Sequence, residues 1–384
     1  MKRSVWRLTL MLVLISCWQA PETLSGEIAL INGTLIDGTG NESGIDVVIV
    51  IHDDRIAAIG PQNTVKIPVN AHIIDVEDST ILPGFINAHV HDGYSEQNLQ
   101  TWVQSGVTTV RDLAGVPQFE LRNTLNADPH NARLVAVGPM VTTPGGYPGF
   151  GLTVKSPEDA RQKVNELIDD GADLIKIPIE DDLQGRRWPM LSEEEIAAIV
   201  ETAHARGLPV SAHISRAKHL KMAIEAGVDD VAHMIVDTLP DDLITRMIER
   251  DIYWEPTLEL WQCVRHKHGV PWDKTAITNL RRFVAADGKV ALGNDFAGYT
   301  CDFDSGMPMT EIMLMQRAGM TPMQIIVAAT KHAAHVCNRE QELGTLEPGK
   351  IADIIVVNGN PLENLDVLQD VSIVIHNGEV IRNN

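Results

Sequence analysis

The chain has 384 residues, 44% of them hydrophobic and 22% charged, with a formal net charge of -21. That is the composition of an ordinary globular protein, long enough for one large domain of about 250 residues and a smaller companion. The acidic balance excludes nucleic acid as a partner, because phosphates would be repelled, and disfavours a polybasic membrane patch.

The first residues form a unit of their own. Lys2, Arg3 and Arg7 lead into the apolar run Leu8 to Ile15, which is too short to span a bilayer but suits the core of a signal peptide. It closes on Leu14-Ile15-Ser16-Cys17, which resembles a bacterial lipoprotein box with Cys17 as the acylated residue. Residues 1–17 are therefore expected to be a signal peptide with a lipobox, and 18–26 a linker. The destination would be the bacterial cell envelope, with a lipid anchor as the sole membrane contact. An ordinary signal peptide, giving a soluble periplasmic or secreted protein, is the alternative. Cys263, Cys301 and Cys337 lie far apart without a Cys-x-x-Cys pair, so no structural zinc site is indicated. One disulfide is possible in an oxidising envelope, the pair is not specified, and a core role is the default for each.

Residues 27–80 alternate short β-rich runs (27–32, 46–52, 55–60, 72–76) with turn signals such as Gly38-Thr39-Gly40 and Asp53-Asp54. Residues 341–384 have the same texture, with an Asn377-Gly378 turn. Both ends are expected to build one small composite β-sandwich domain. Residues 81–340 change period. Strands are predicted at 84–90, 107–112, 133–138, 173–178, 208–213, 229–234, 251–258 and 290–295. Helices are predicted at 157–170, 193–206, 217–226 and 241–250, with a capping box at Ser192 and Glu195 and glycine stops at Gly171, Gly207 and Gly227. Eight strand-helix units predict an α/β fold, a (β/α)8 TIM-type barrel with its chemistry at the C-terminal strand ends. A doubly wound open sheet fits less well, because no Gly-rich phosphate loop is present.

The strand ends carry the functional argument. His89 and His91 are two apart, so on a strand both imidazoles face the same way. His213 and His233 end the fifth and sixth strands, and Asp295 the eighth. Neutral imidazoles with a carboxylate suit a borderline-soft metal such as zinc. Lys176, in the fourth strand, would be costly to bury as an ammonium. As a carbamate formed with carbon dioxide it becomes an anionic bridge between two cations.

His89-Val-His91, Lys176, His213, His233 and Asp295 together resemble the metal-dependent amidohydrolase superfamily in its two-metal, carboxylated-lysine form. The re-entry run Gly344-Thr-Leu-Glu-Pro-Gly-Lys-Ile-Ala-Asp supports that resemblance, and the Gly106-Val-Thr-Thr-Val-Arg-Asp-Leu113 motif resembles the branch of prolidase-like, imidazolonepropionase-like and ochratoxinase-like proteins. The resemblance implies a binuclear hydrolase cleaving an amide (C–N) or peptide-like bond of a small-molecule substrate. It places one metal on His89, His91 and Asp295 and the second on His213 and His233, with carboxylated Lys176 and a hydroxide bridging. Asp295 would shuttle the proton. Lactone or phosphoester hydrolysis at the same centre, or an idle envelope binding lipoprotein, are the alternatives.

Substrate contacts are less defined. The dipeptidases' Gly-Gly-His turn reads Gly145-Gly146-Tyr147 here. Tyr147 is a candidate hydrogen-bond donor, Tyr94 a candidate oxyanion contact and Arg216 a candidate carboxylate grip. Arg111-Asp112 is expected to be a structural pair. Trp254 and Trp261 are pocket walls or core, and His266-Lys267-His268 a solvated loop. The sequence leaves the oligomeric state open.

Overall fold

The computed structural model describes residues 26–183, 185–296 and 301–384. The expected signal peptide, the Cys17 lipobox and all but the last residue of the linker lie outside them. The fold is mixed α/β. Among the described residues no helix is long and apolar enough to cross a membrane.

Strands from both ends of the chain join in one eight-stranded sheet. Ile354–Asn358 pairs with Ser79–Pro83 on one side and with Val371–His376 on the other, while Glu27–Leu35 pairs with Gly44–His52. Ile28, Leu30, Ile49 and Ile56 from the N-terminal part bury with Ile354, Val356 and Ile375 from the C-terminal part in a single cluster. Register shifts near Gly33 bend the first strand, so its two halves take different partners. Pro83 then leads through Gly84 into the main domain. Arg133 ties the two units together, with Nη1 2.5 Å from Asp353 and 3.0 Å from Thr109 Oγ1.

The main domain is built on parallel strands in two arcs. Phe85–Val90, Val107–Asp112 and Arg133–Ala136 form one; Ile175–Pro178, Val210–His213, Asp230–Ala232 and Tyr253–Glu255 form the other. Every residue of these strands is buried, as expected for parallel strands covered on both faces. The arcs are joined at Asp173, whose N–H donates to Ala136 O. On the other side Ala291 N donates to Trp254 O, Ala88 N to Leu292 O and Asp295 N to His89 O. Segment 290–296 thus replaces the predicted eighth strand with irregular backbone. Its Gly293 lies so close to the first strand that an added Cβ would sit 2.7 Å from His89 Cβ, so only glycine fits.

The helices follow the caps legible in the sequence. Pro157–Asp169 starts under Ser156, which accepts from Asp159 N, and Glu193–Ala205 starts with both bonds of the Ser192/Glu195 capping box. Gly227 ends Ala217–Ala226 in the left-handed region. The predicted seventh strand is shorter than 251–258. Pro256 has no N–H for a ladder, Thr257 turns left-handed at φ 46°, and a helix begins at Leu258. That helix, Leu258–His268, contains the stretch expected to be a solvated loop. His266, Lys267 and His268 are exposed, but on a helix whose basic last turn complements the partial charge of its C-terminus.

Candidate metal centre

Four of the six ligand candidates sit at or just past the C-terminal ends of strands, Lys176 lies inside one, and Asp295 lies on the irregular segment 290–296. His89 and His91 face Asp295 together, with their Nε2 atoms 3.1 and 3.0 Å from Asp295 Oδ1. A ligand atom from each of the three lies within 4.8 Å of the others. The His89 and His233 rings are 4.9 Å apart, and His213 and His233 4.5 Å. Lys176 is fully buried, with Nζ 3.3 Å from Ser211 Oγ. The structure therefore brings together the residues that the sequence had spread over more than 200 positions.

The electrostatics favour neutral nitrogens. Burial lowers His89 to about 3 and holds His213 and His233 well below the usual imidazole value. Burial also pushes Asp295 upward, but the neighbouring histidines, His89 first, outweigh it and keep the carboxyl well below its ordinary range. For His91 burial opposes protonation, yet the adjacent Asp295 carboxylate prevails and raises it. Burial brings Lys176 down to about 7, so a neutral amine, the form that reacts with carbon dioxide, exists near neutrality.

The donor set fits a cation. His213 Nε2 and Asp295 Oδ1 are buried without a hydrogen-bond partner. Buried polar atoms left unsatisfied are costly, and a divalent ion would satisfy such donors.

The backbone is strained at the same place. Asp295 (φ 62°), His233 (φ 72°) and Thr257 (φ 46°) all occupy the left-handed region, which costs roughly 1–3 kcal/mol at a non-glycine residue. Behind them the seventh strand, which supplies no ligand candidate, orients two of the histidines. Glu255 Oε2 is 3.3 Å from His89 Nδ1, and Thr257 Oγ1 is 2.9 Å from His233 Nδ1. The Thr257 contact is a hydrogen bond that fixes which His233 nitrogen faces inward, and Glu255 lies at ion-pair distance from His89. Glu255 is in turn held by Arg111, which also grips Asp230 with both terminal nitrogens (3.1 and 3.2 Å) and donates from Nε to Ala88 O. Trp254 donates to His233 O at 2.7 Å. A buried amide chain runs from Asn87 to Asn294 (2.8 Å) and on to Glu259 (2.9 Å), one residue from Asp295.

None of these supports was assigned from the sequence, and one expectation is corrected. Arg111 does not pair with Asp112. Neighbours on a strand face opposite ways, so Asp112 instead accepts from Gly93 N and Ala114 N. Only Asn87 left a trace, two residues before His89 and therefore on its face.

The substrate candidates separate. Tyr147 lines the cavity above the histidines, its ring stacked on His213 at 4.4 Å. Tyr94 packs against the core instead, and burial raises its hydroxyl to about 12. Arg216 occupies the N-cap position of helix Ala217–Ala226, 5.6 Å over the Trp272 ring. Neither is among the cavity-lining residues. Trp261 lines the cavity, whereas Trp254 is fully buried core. Two cysteines depart from the default core role: Cys263 and Cys301 form a disulfide in the cavity wall, while Cys337 stays a buried thiol.

Residues 80–381 match the family model described as "Amidohydrolase family". The chain belongs to the amidohydrolase family. This amidohydrolase is 25% identical to ochratoxinase of Aspergillus niger, over 90% of its own length and 84% of that protein's. It is 22% identical to imidazolonepropionase of Symbiobacterium thermophilum, over 81% and 83%. A solved structure of a Xaa-Pro dipeptidase with bound methionine superposes with a TM-score of 0.82 at 28% identity, covering 93% of this chain and 100% of that one. The amidohydrolase is thus a hydrolase acting on carbon–nitrogen bonds, in the branch that holds these relatives.

Two buried carboxyls near the site give a stability test. Burial raises Glu311 to about 8 even though the N–H groups of Leu258 and Glu259 donate to it, and raises Glu259 to about 7. Between the ordinary carboxylate value and these raised values the folded chain holds protons that the unfolded chain has released. Stability therefore falls as pH rises through that window. The urea midpoint is expected to drop between about pH 5 and about pH 8, and Glu311→Gln to flatten that drop. An equal slope in the variant would remove Glu311 from the account.

Proposed function

We propose that the chain is a binuclear metal-dependent amidase acting on small molecules, with residues 81–340 closing as a (β/α)8 barrel and residues 27–80 and 341–384 forming its composite β-sandwich. His89, His91 and Asp295 would hold one divalent ion, zinc by ligand type, and His213 and His233 the other, with Lys176 carboxylated between them. The observation that carries this reading is the cluster of His89, His91 and Asp295 with the His233 and His213 rings packed against it, and burial favouring the neutral form of three of these imidazoles.

When bound, the ions make hydroxide available at neutral pH and polarise the scissile carbonyl. The protein's own groups do the rest. Asp295, tethered to the first strand through its N–H to His89 O, takes the proton of the attacking water on its carboxylate and passes it to the leaving nitrogen. The C–N bond breaks, and an acid and an amine leave. Thr257 keeps the His233 imidazole in the required tautomer, and the Glu255 carboxylate sits beside His89. The apolar cavity wall excludes competing water.

The named activities of the relatives, on ochratoxin, imidazolonepropionate and Xaa-Pro dipeptides, all break C–N bonds, which favours an amide. The cavity-wall disulfide suits an oxidising compartment and so supports the exported, envelope location, with anchoring at Cys17 as its membrane link. Assays of zinc-loaded protein against amides, lactones and phosphotriesters test the class. Amides are expected to be hydrolysed, and His213→Asn to abolish turnover while the circular dichroism spectrum is kept. A preference for lactones or phosphotriesters, or activity surviving in the variant, would overturn the assignment.

A further inference from the structure

The cavity above the candidate ligands has a volume of about 1010 Å³, and its walls are organised. Both start on the His213/His233 half. On one side Tyr147 stacks on His213 and meets the Trp188 ring edge-on at 5.5 Å. Phe150, beside it, keeps 62% of its surface exposed at the cavity edge. On the other side Trp261 meets His233 at 6.0 Å and Trp272 at 5.7 Å, both edge-on. Two aromatic walls therefore run outward from the place where the carbonyl must sit.

The helix Leu258–His268 supplies most of the second wall, and its cavity face changes character along its length. Leu260, Trp261 and Val264 line the inner part, Lys267 and His268 the outer. At roughly 1.5 Å per residue, Trp261 and Lys267 are about 9 Å apart along the axis. Lys267 and His268 thus give the outer part of this wall a basic character in a chain of net charge -21. Arg265, in the same turn, pairs with Asp273 at 3.0 Å.

We infer that the cavity takes amides built on an elongated aromatic body that carries an anionic group at the end far from the scissile bond. The body stacks between the walls led by Tyr147 and Trp261, and the anion meets Lys267 and His268. This deepens the amidase reading and rests on it for the bond broken. Hydrolysis adds water across the amide, with the hydroxyl going to the carbonyl carbon and the proton to the leaving nitrogen.

The probe is the acetamide of an aminobiphenyl carboxylic acid, whose amide and carboxylate are held apart by two linked rings. It is compared with its neutral carboxamide counterpart and with alanyl-proline. Calorimetry on zinc-loaded protein is expected to show the product, aminobiphenyl carboxylate, binding about tenfold or more tightly than its carboxamide. Lys267→Glu combined with His268→Glu should erase that difference, and Phe150→Ala should weaken both ligands. The kcat/KM for the acetamide should exceed that for alanyl-proline. No heat of binding, equal binding of acid and carboxamide, or a preference for alanyl-proline would overturn the inference. Binding as described with no amide turned over would uphold the cavity assignment and fell the amidase reading instead.

Discussion

Replacing Lys176 by alanine is expected to lower turnover by about three orders of magnitude or more and to release metal from a chain that still folds. The side chain is fully buried, and burial brings its amine to about 7, so the folded protein presents a neutral nucleophile where the proposed carbamate would form. On the proposed mechanism, losing it would take away the anionic ligand that both ions would share, and nearby His213 and His89 would face two unneutralised dications. Alanine leaves a cavity, but the strand Ile175–Pro178 keeps its pairing with Val210–His213. Circular dichroism should therefore be unchanged while elemental analysis shows fewer than two ions per chain. Protein stripped by chelator in mild acid should regain activity with zinc and bicarbonate together more fully than with zinc alone. Wild-type activity in Lys176→Ala would remove the carbamate from the account.

The second large effect is expected from Glu255. Its two oxygens divide between Arg111 and His89 Nδ1, and all three residues are buried. Glu255→Ala leaves a buried guanidinium with Asp230 alone and frees the His89 ring. Breaking a buried ion network this way costs about 3–5 kcal/mol, and losing the partner of a ligating histidine costs about 10- to 100-fold in metal affinity. Denaturant unfolding and a chelator competition assay read the two effects separately. Glu255→Gln retains an oxygen near His89 but not the charge facing Arg111, so it should recover part of the metal affinity and little of the stability. Unchanged affinity in both variants would reduce Glu255 to a purely structural partner of Arg111.

The ligand candidates were legible because each is marked locally. His89 and His91 share a strand face by the period of two, Lys176 is a charge inside an apolar run, and His213, His233 and Asp295 end strand-like runs. Helix starts were legible for the same reason, since Ser192 and Glu195 carry their cap within four residues. What supports the site was not. Glu255 reads as an ordinary strand-end acid until Arg111, 144 positions away, closes on it. Thr257 acquires its role from a left-handed turn that a β-branched residue does not advertise. The Cys263–Cys301 pairing spans 38 residues and is decided by Cys301 lying against the helix Leu258–His268 that carries Cys263. The basic stretch 266–268 read as a loop, because its composition is polar and its helix is set by packing rather than by propensity. The sheet of the small domain was legible in its composition. Its strand order, with a C-terminal strand lying against Ser79–Pro83, was not, because register across 270 residues leaves no local sign.

The central claim is that catalysis depends on two ions held by this residue set. The most direct measurement is a zinc titration of chelator-stripped protein, following amide hydrolysis and bound metal in the same samples. Activity is expected to rise to a plateau reached at two ions per chain, and His213→Asn to bind fewer and stay inactive. Full activity in the metal-free protein, or a plateau with fewer than about one ion bound per chain, would contradict the account.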